Sequence, residues 1–193
     1  TTSTSANTTT ISSKISGAFK LTLNATSYSQ YANLTLSGAN DYSGGTDIAH
    51  NTQVTIGNAT AFGTGTVTVT SASFFSKLSA SSALTIANNF VLNNNFGLNG
   101  SNNITTSGTL NLGGGAPRTI DVSTSRIFRF NGNTSNGALT KTGAGILTLA
   151  GGSSYTGATV IAASGGTLRI RNSSSSSGFS IASGTDLQLN NIS

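Results

Sequence analysis

Apolar residues recur at alternate positions in short bursts along the whole chain: Phe19-x-Leu21-x-Leu23, Leu34-x-Leu36, Val54-x-Ile56, Val67-x-Val69 and Leu84-x-Ile86. The pattern continues with Leu110-x-Leu112, Ile120-x-Val122, Phe128-x-Phe130, Leu147-x-Leu149, Leu168-x-Ile170, Phe179-x-Ile181 and Leu187-x-Leu189. A period of two is that of a strand with one buried face. Clusters of Gly, Asn, Ser and Thr separate the bursts and supply turns. No useful length follows the helical period, so the pattern predicts many short strands and no helix.

The bursts belong to a longer repeat. Residues 34–56 and 147–170 share a frame. Leu34, Leu36, Gly38, Tyr42, Gly44, Thr46 and Ile48 of the first copy match Leu147, Leu149, Gly151, Tyr155, Gly157, Thr159 and Ile161 of the second. Within each copy the apolar pair returns after about 20 residues, and again from Leu168 to Leu187. A strand pair that returns at this interval signals a β-solenoid. Coils stacked at the strand spacing of about 4.8 Å bring inward side chains into apolar ladders. At about 20 residues per coil, the chain would form roughly eight to ten coils and a rod about 40–45 Å long.

The stretch Leu139-Thr-Lys141-Thr-Gly143-Ala-Gly145-Ile-Leu147-Thr-Leu149, continuing through Gly151, Tyr155, Gly157 and Thr159, resembles the autotransporter-associated β-strand repeat. Ser153 stands where that repeat usually has Asn. The first copy keeps Asn40 but lacks the Lys-x-Gly-x-Gly lead-in. The resemblance implies a single-domain, right-handed parallel β-helix exported to the bacterial surface, and it implies scaffold rather than an activity. The motif's glycines suit turns of positive φ or close approach between coils. Tyr42 and Tyr155 are expected to bury their rings and keep their hydroxyls wet. The Asn runs at 88–89, 93–95 and 102–103 are expected in turns, or as stacked amide ladders.

Composition narrows the picture. Ser, Thr, Asn and Gly make up more than half of the 193 residues, and there is no Cys, Met, Trp or Glu. Disulfide scaffolds, thiolate metal sites and thiol nucleophiles are thereby excluded. No apolar run is long enough for a membrane-spanning helix. The start, TTSTSANTTT, has neither Met nor a charged-then-apolar leader, and is expected to belong to a processed product or excised piece. The net charge of +5 comes from nine Lys and Arg against four Asp. Nine cations are too sparse to point to a nucleic-acid partner, and the balance fits weak attraction to an anionic surface or polysaccharide equally well.

Chemistry finds little to work with. The carboxylates are Asp41, Asp47, Asp121 and Asp186, and the positions matching Asp41 and Asp47 in the second copy are Ser154 and Val160. Glycoside hydrolysis requires a carboxylate pair, and calcium a convergent oxygen set; neither pattern is present. His50, the only histidine, falls in the polar turn IAHNTQ without a Gly-x-Ser-x-Gly elbow. The glycines at 113–115 and 143–145 lack the Lys-Ser/Thr of a phosphate loop. No catalytic, cofactor or metal site is expected. Alternation places Arg129, Arg169 and Arg171 on an outer face, near Arg126, as a candidate contact with an anionic surface, or as cations that keep a sheet soluble and blunt its edges. Phe74-Phe75 cannot both face inward and is read as a corner or bulge.

The expected organisation is a polar arm or donated strand over 1–16, then a solenoid over 17–193 with repeats at 34–56 and 139–170. Neither end shows a cap, which suggests self-association through solenoid ends. The expected role is a non-enzymatic structural protein of the cell surface or extracellular matrix, as a fibre subunit or passenger stalk. An adhesin or glycan-binding module is the alternative, ahead of a polysaccharide-active enzyme.

Overall fold

The computed structural model describes residues 8–24, 31–70, 75–172 and 176–189. Among them every regular element is a strand, and every strand pairing is parallel. The strands form three sheets whose neighbours are never consecutive in the chain. Nine-stranded sheet I runs without interruption from Thr8–Ile11 to Phe179–Ile181. Sheet II runs over six strands from Leu21–Leu23 to Thr134–Ser135, and sheet III over six from Leu84–Ile86 to Asp186–Leu189. The chain therefore winds as a β-solenoid of about eight turns of roughly 21 residues, about 40 Å along its axis.

The expected period is seen in the register. Leu34 pairs with Val54, Leu147 with Leu168, and Leu168 with Leu187. The interval varies with turn length: Phe128 meets Leu147, 19 positions on, whereas Leu21 meets Thr46, 25 positions on. Gly, Asn and Ser at the corners absorb these differences without disturbing the strands.

Inward positions form the predicted ladders. Leu36 and Ile56 are buried on adjacent turns of sheet I, and Phe128, Leu147 and Leu168 on adjacent turns of sheet III. Midway along the axis, Phe90, Phe96, Phe128 and Phe130 pack with ring centroids 4.6–6.3 Å apart. Such tilted and edge-on contacts suit the ring quadrupole and fill the wide centre of the section. The last turn differs, because no described strand lies beyond it. Phe179, Ile181 and Leu189 keep the strand period but remain exposed.

Thr8–Ile11, in the segment expected as an arm, is the first strand of sheet I and pairs with Asn33–Leu36. Residues 1–7 lie outside the described residues, as does Phe74. Phe75 is half-buried, just before the strand Ser76–Ala80.

Candidate functional surface

The repeat motif makes one corner of the solenoid. In the first copy a strand of sheet I, Ala32–Leu36, leads through Tyr42 to Thr46–Ile48 of sheet II. In the second, a strand of sheet III, Ile146–Leu149, leads through Tyr155 to Thr159–Ile161 of sheet I. The same local structure has moved on by one face.

Each corner is closed from within. Tyr42 and Tyr155 are fully buried, and their hydroxyls hydrogen-bond Thr46 Oγ1 at 2.5 Å and Thr159 Oγ1 at 2.8 Å. The expectation of wet hydroxyls is thus corrected. A buried phenol needs a partner, and the threonine four residues on, itself buried, supplies it. Burial also pushes the Tyr42 phenol above its ordinary pKa, opposed by the bond to Thr46. Phe19 stacks on Tyr42 at 5.8 Å from the preceding turn. Gly44 and Gly157 permit contact between turns: a Cβ there would lie 2.3 Å from the Phe19 carbonyl carbon and 2.4 Å from the Gly137 carbonyl oxygen.

Asn40 ties three turns together. Its Oδ1 accepts from Ile15 N at 2.9 Å, and its Nδ2 donates to the Ala61 carbonyl at 2.7 Å. Ser153, at the matching position, is too short for this. Among the described residues its buried Oγ has no partner, nor has Thr134 Oγ1 beside it in register. The other asparagines mostly bond to the backbone of a neighbouring turn. Asn88 Nδ2 donates to the Gly63 and Gly65 carbonyls, and the Oδ1 atoms of Asn95 and Asn103 accept from Thr119 N and Ile127 N. The expected amide ladder is replaced at these runs, because bare backbone groups at corners are better partners than another amide.

Lys141 occupies an inward column, in register with Ile120 on one side and Ile161 on the other. It is fully buried, and its Nζ donates to the carbonyls of Thr142, Gly143 and Gly165 at 2.5, 2.6 and 2.8 Å. All three ammonium protons are thereby used. Gly143, at φ +73°, adopts a conformation that side chains rarely take, and it helps form this cradle. Desolvation lowers the Lys141 pKa to about 8, against the attraction of Asp121.

The carboxylates are dispersed. Asp41 pairs with Lys14 at 2.6 Å and Asp47 with Lys20 at 3.0 Å, each across one turn. Lys14 and Ser16 hold the exposed Asp41 below its ordinary pKa. Asp121 accepts from Thr142 Oγ1, and Asp186 from Gln188 Nε2. His50 lies half-buried in the turn between Thr46–Ile48 and Thr52–Ile56. Among the described residues no three His, Cys, Asp or Glu side chains gather as a metal site. No helix of the described residues is long and apolar enough to cross a membrane.

Arg129 and Arg169 stand on the outside of sheet III, whereas Arg118 opens the sheet I strand Arg118–Val122. Phe128 and Phe130 are buried with Arg129 between them, and Leu168 and Ile170 with Arg169 between them. Arg129 and Arg169 lie in one column, both in register with Thr148 on the intervening turn. Arg129 Nε donates to Asn131 Oδ1 at 2.5 Å and Arg169 Nε to Gln188 Oε1 at 2.7 Å. Arg171 follows the strand Thr167–Ile170, and Arg126 precedes Ile127–Phe130.

Residues 32–50 and 139–170 match the family described as the passenger-associated transport repeat. These segments coincide with the two corners built around Tyr42 and Tyr155. No curated protein and no solved structure matches the chain.

Proposed function

We propose that this chain, which carries repeats of the autotransporter passenger type within a β-solenoid, is a structural element of a bacterial surface or extracellular assembly: a passenger stalk, or a fibre subunit that polymerises head to tail. The uninterrupted parallel ladder of sheet I, from Thr8 to Ile181, carries this reading. Such a ladder aligns backbone hydrogen bonds with the axis, so stretching the rod loads many of them together. The Ser, Thr and Asn skin keeps a stiff, largely uncharged rod hydrated. Export is the setting that passenger-type repeats imply, and absence of cysteine makes folding independent of redox compartment.

Head-to-tail association would use the same parallel ladders that stack turns within the chain. Another chain's first turn would extend the same ladders with the same chemistry. Electron microscopy of the purified chain over a concentration series tests both parts. Rods about 40 Å long that join end to end with concentration are expected for the fibre. Rods that stay separate at every concentration leave the stalk and remove the fibre. Irregular or globular particles overturn the scaffold reading.

A further inference from the structure

We propose that the outer face of sheet III binds a linear acidic polysaccharide laid along the solenoid axis, with Arg129 and Arg169 gripping carboxylates on alternate sugars. The face presents one polar column across its six strands: Thr85, Thr105, Arg129, Thr148, Arg169 and Gln188 stand in mutual register. At the strand spacing this track is about 24 Å long, and the two arginines are separated by two turns, about 9.6 Å.

Three observations converge on an anionic ligand. First, among the described residues neither arginine pairs with a carboxylate; the ion pairs there are Lys14–Asp41 and Lys20–Asp47. The nearest acid in register is Asp186, one strand beyond Thr167, and its described side-chain hydrogen bond is to Gln188. Second, both guanidinium groups are held alike. Each Nε is pinned by a side-chain amide oxygen, and the Nη groups make no hydrogen bond with the described residues. A pinned fork loses less entropy when it takes a carboxylate in two-point contact. Third, Thr148 points outward between buried Leu147 and Leu149, yet is only 2% exposed. Its neighbours along the column are the two arginines. Like charges two turns apart on one column repel each other, and an anion laid along them relieves that cost.

The commitment to polysaccharide follows from spacing and chemistry. An extended β-linked sugar chain advances per ring by a distance close to one solenoid turn. One sugar then faces each turn, and two turns separate the arginines, which fits one carboxylate per two sugars. Threonine hydroxyls and the Gln188 amide provide partners for sugar hydroxyls at the intervening turns. Nucleic acid carries a charge on every unit and requires a denser set of cations; this column also has no aromatic ring on which bases could stack. The inference adds to the scaffold reading and does not depend on polymerisation.

The test uses surface plasmon resonance of the whole chain with hyaluronan, whose carboxylates lie on alternate sugars. Neutral dextran and double-stranded DNA serve as comparisons. Salt-sensitive binding to hyaluronan is expected, with none to dextran and weaker binding to DNA. Arg129→Gln/Arg169→Gln is expected to weaken hyaluronan binding at least tenfold, whereas Lys77→Gln, which removes a charge from sheet I, leaves it within twofold. Circular dichroism and electron microscopy of the same samples separate lost binding from a lost rod. If the double variant fails to fold, Arg129→Lys and Arg169→Lys keep the charge but not the fork, and each is expected to bind severalfold more weakly. Absence of hyaluronan binding at low salt overturns the proposal, as do equal effects of the sheet III and sheet I variants, or tighter binding to DNA.

Discussion

Lys141 Nζ lies 2.8 Å from the carbonyl oxygen of Gly165, one turn further along the solenoid. With the Thr142 and Gly143 carbonyls completing its set, a cation stands in an inward column between Ile120 and Ile161. The ammonium thus fastens two turns from inside. Lys141→Met places an apolar side chain between Ile120 and Ile161 but leaves three carbonyls without this donor. Unmet buried acceptors cost about 1–3 kcal/mol each, so a loss of several kcal/mol is expected in urea unfolding. Stability equal to or above that of the parent would show that the cradle contributes nothing.

The same lysine gives stability a pH dependence of unusual sign. Its folded pKa, about 8, lies below its ordinary value of 10.5. Between the two, the unfolded chain binds more protons, so this group's contribution to stability rises with pH through that window. The penalty of burying the charge is fully present below pH 8. A gain of up to about 3 kcal/mol is the linkage ceiling. Above pH 10 the Tyr42 phenol acts oppositely, because its raised pKa makes the unfolded chain lose protons first. Melting curves of the parent and Lys141→Met from pH 7 to 10.5 check this. The parent should gain stability relative to the variant; a constant difference would refute the titration.

The Tyr42–Thr46 bond predicts an asymmetry. Tyr42→Phe removes the phenol and is expected to cost about 1 kcal/mol. Thr46→Val leaves the phenol buried, and within the described residues its hydroxyl then has no partner; a cost nearer 2–3 kcal/mol is expected. The double variant should be more stable than the sum of the single losses implies. Additive losses would mean that the bond does not couple the two residues.

Glycines should divide by environment. Gly157→Ala would place a Cβ against the Gly137 carbonyl and Ala138, forcing adjacent turns apart. A loss of about 2 kcal/mol or more is expected. Gly114 has nothing within 4 Å and no positive φ, so Gly114→Ala should be neutral or stabilise by up to about 1 kcal/mol. Thermal melts of the pair give a direct comparison, and equal effects would contradict the close approach of turns.

The two copies also differ in how they use one position. Asn40→Ala breaks bonds to Ile15 and Ala61 and should cost about 2 kcal/mol. Ser153→Ala removes a hydroxyl that has no partner among the described residues, so it should be neutral or slightly stabilising. Chemical denaturation distinguishes them. A large loss at Ser153 would reveal a bond that the geometry does not contain.

Much of this was legible beforehand. Leu34-x-Leu36 and Val54-x-Ile56 announce strands by alternation alone, and their 20-residue interval announces that they stack. Alternation also separates Phe128 and Phe130 from Arg129. Other features were hidden. Ser76–Ala80 forms a strand of sheet I with little apolar alternation, because pairing on both sides compensates for weak local preference. The partnership of Tyr42 with Thr46 was present in the motif as a spacing of four, but spacing does not reveal whether a hydroxyl meets solvent or its neighbour.

Period two and the recurring corner motif determined that this chain is a parallel solenoid, since both are local signals repeated often enough to fix which residues face inward. Tertiary structure alone decided the phase. Leu36 and Leu149 are equivalent in the motif, yet occupy different sheets, because the intervening corners sum to about five and a third turns. Stacking likewise decided that Lys141 is tolerable inside and that Arg129 and Arg169 share a column. Each outcome depends on backbone or side chains from another turn, and their positions are set by the accumulated lengths of all corners between.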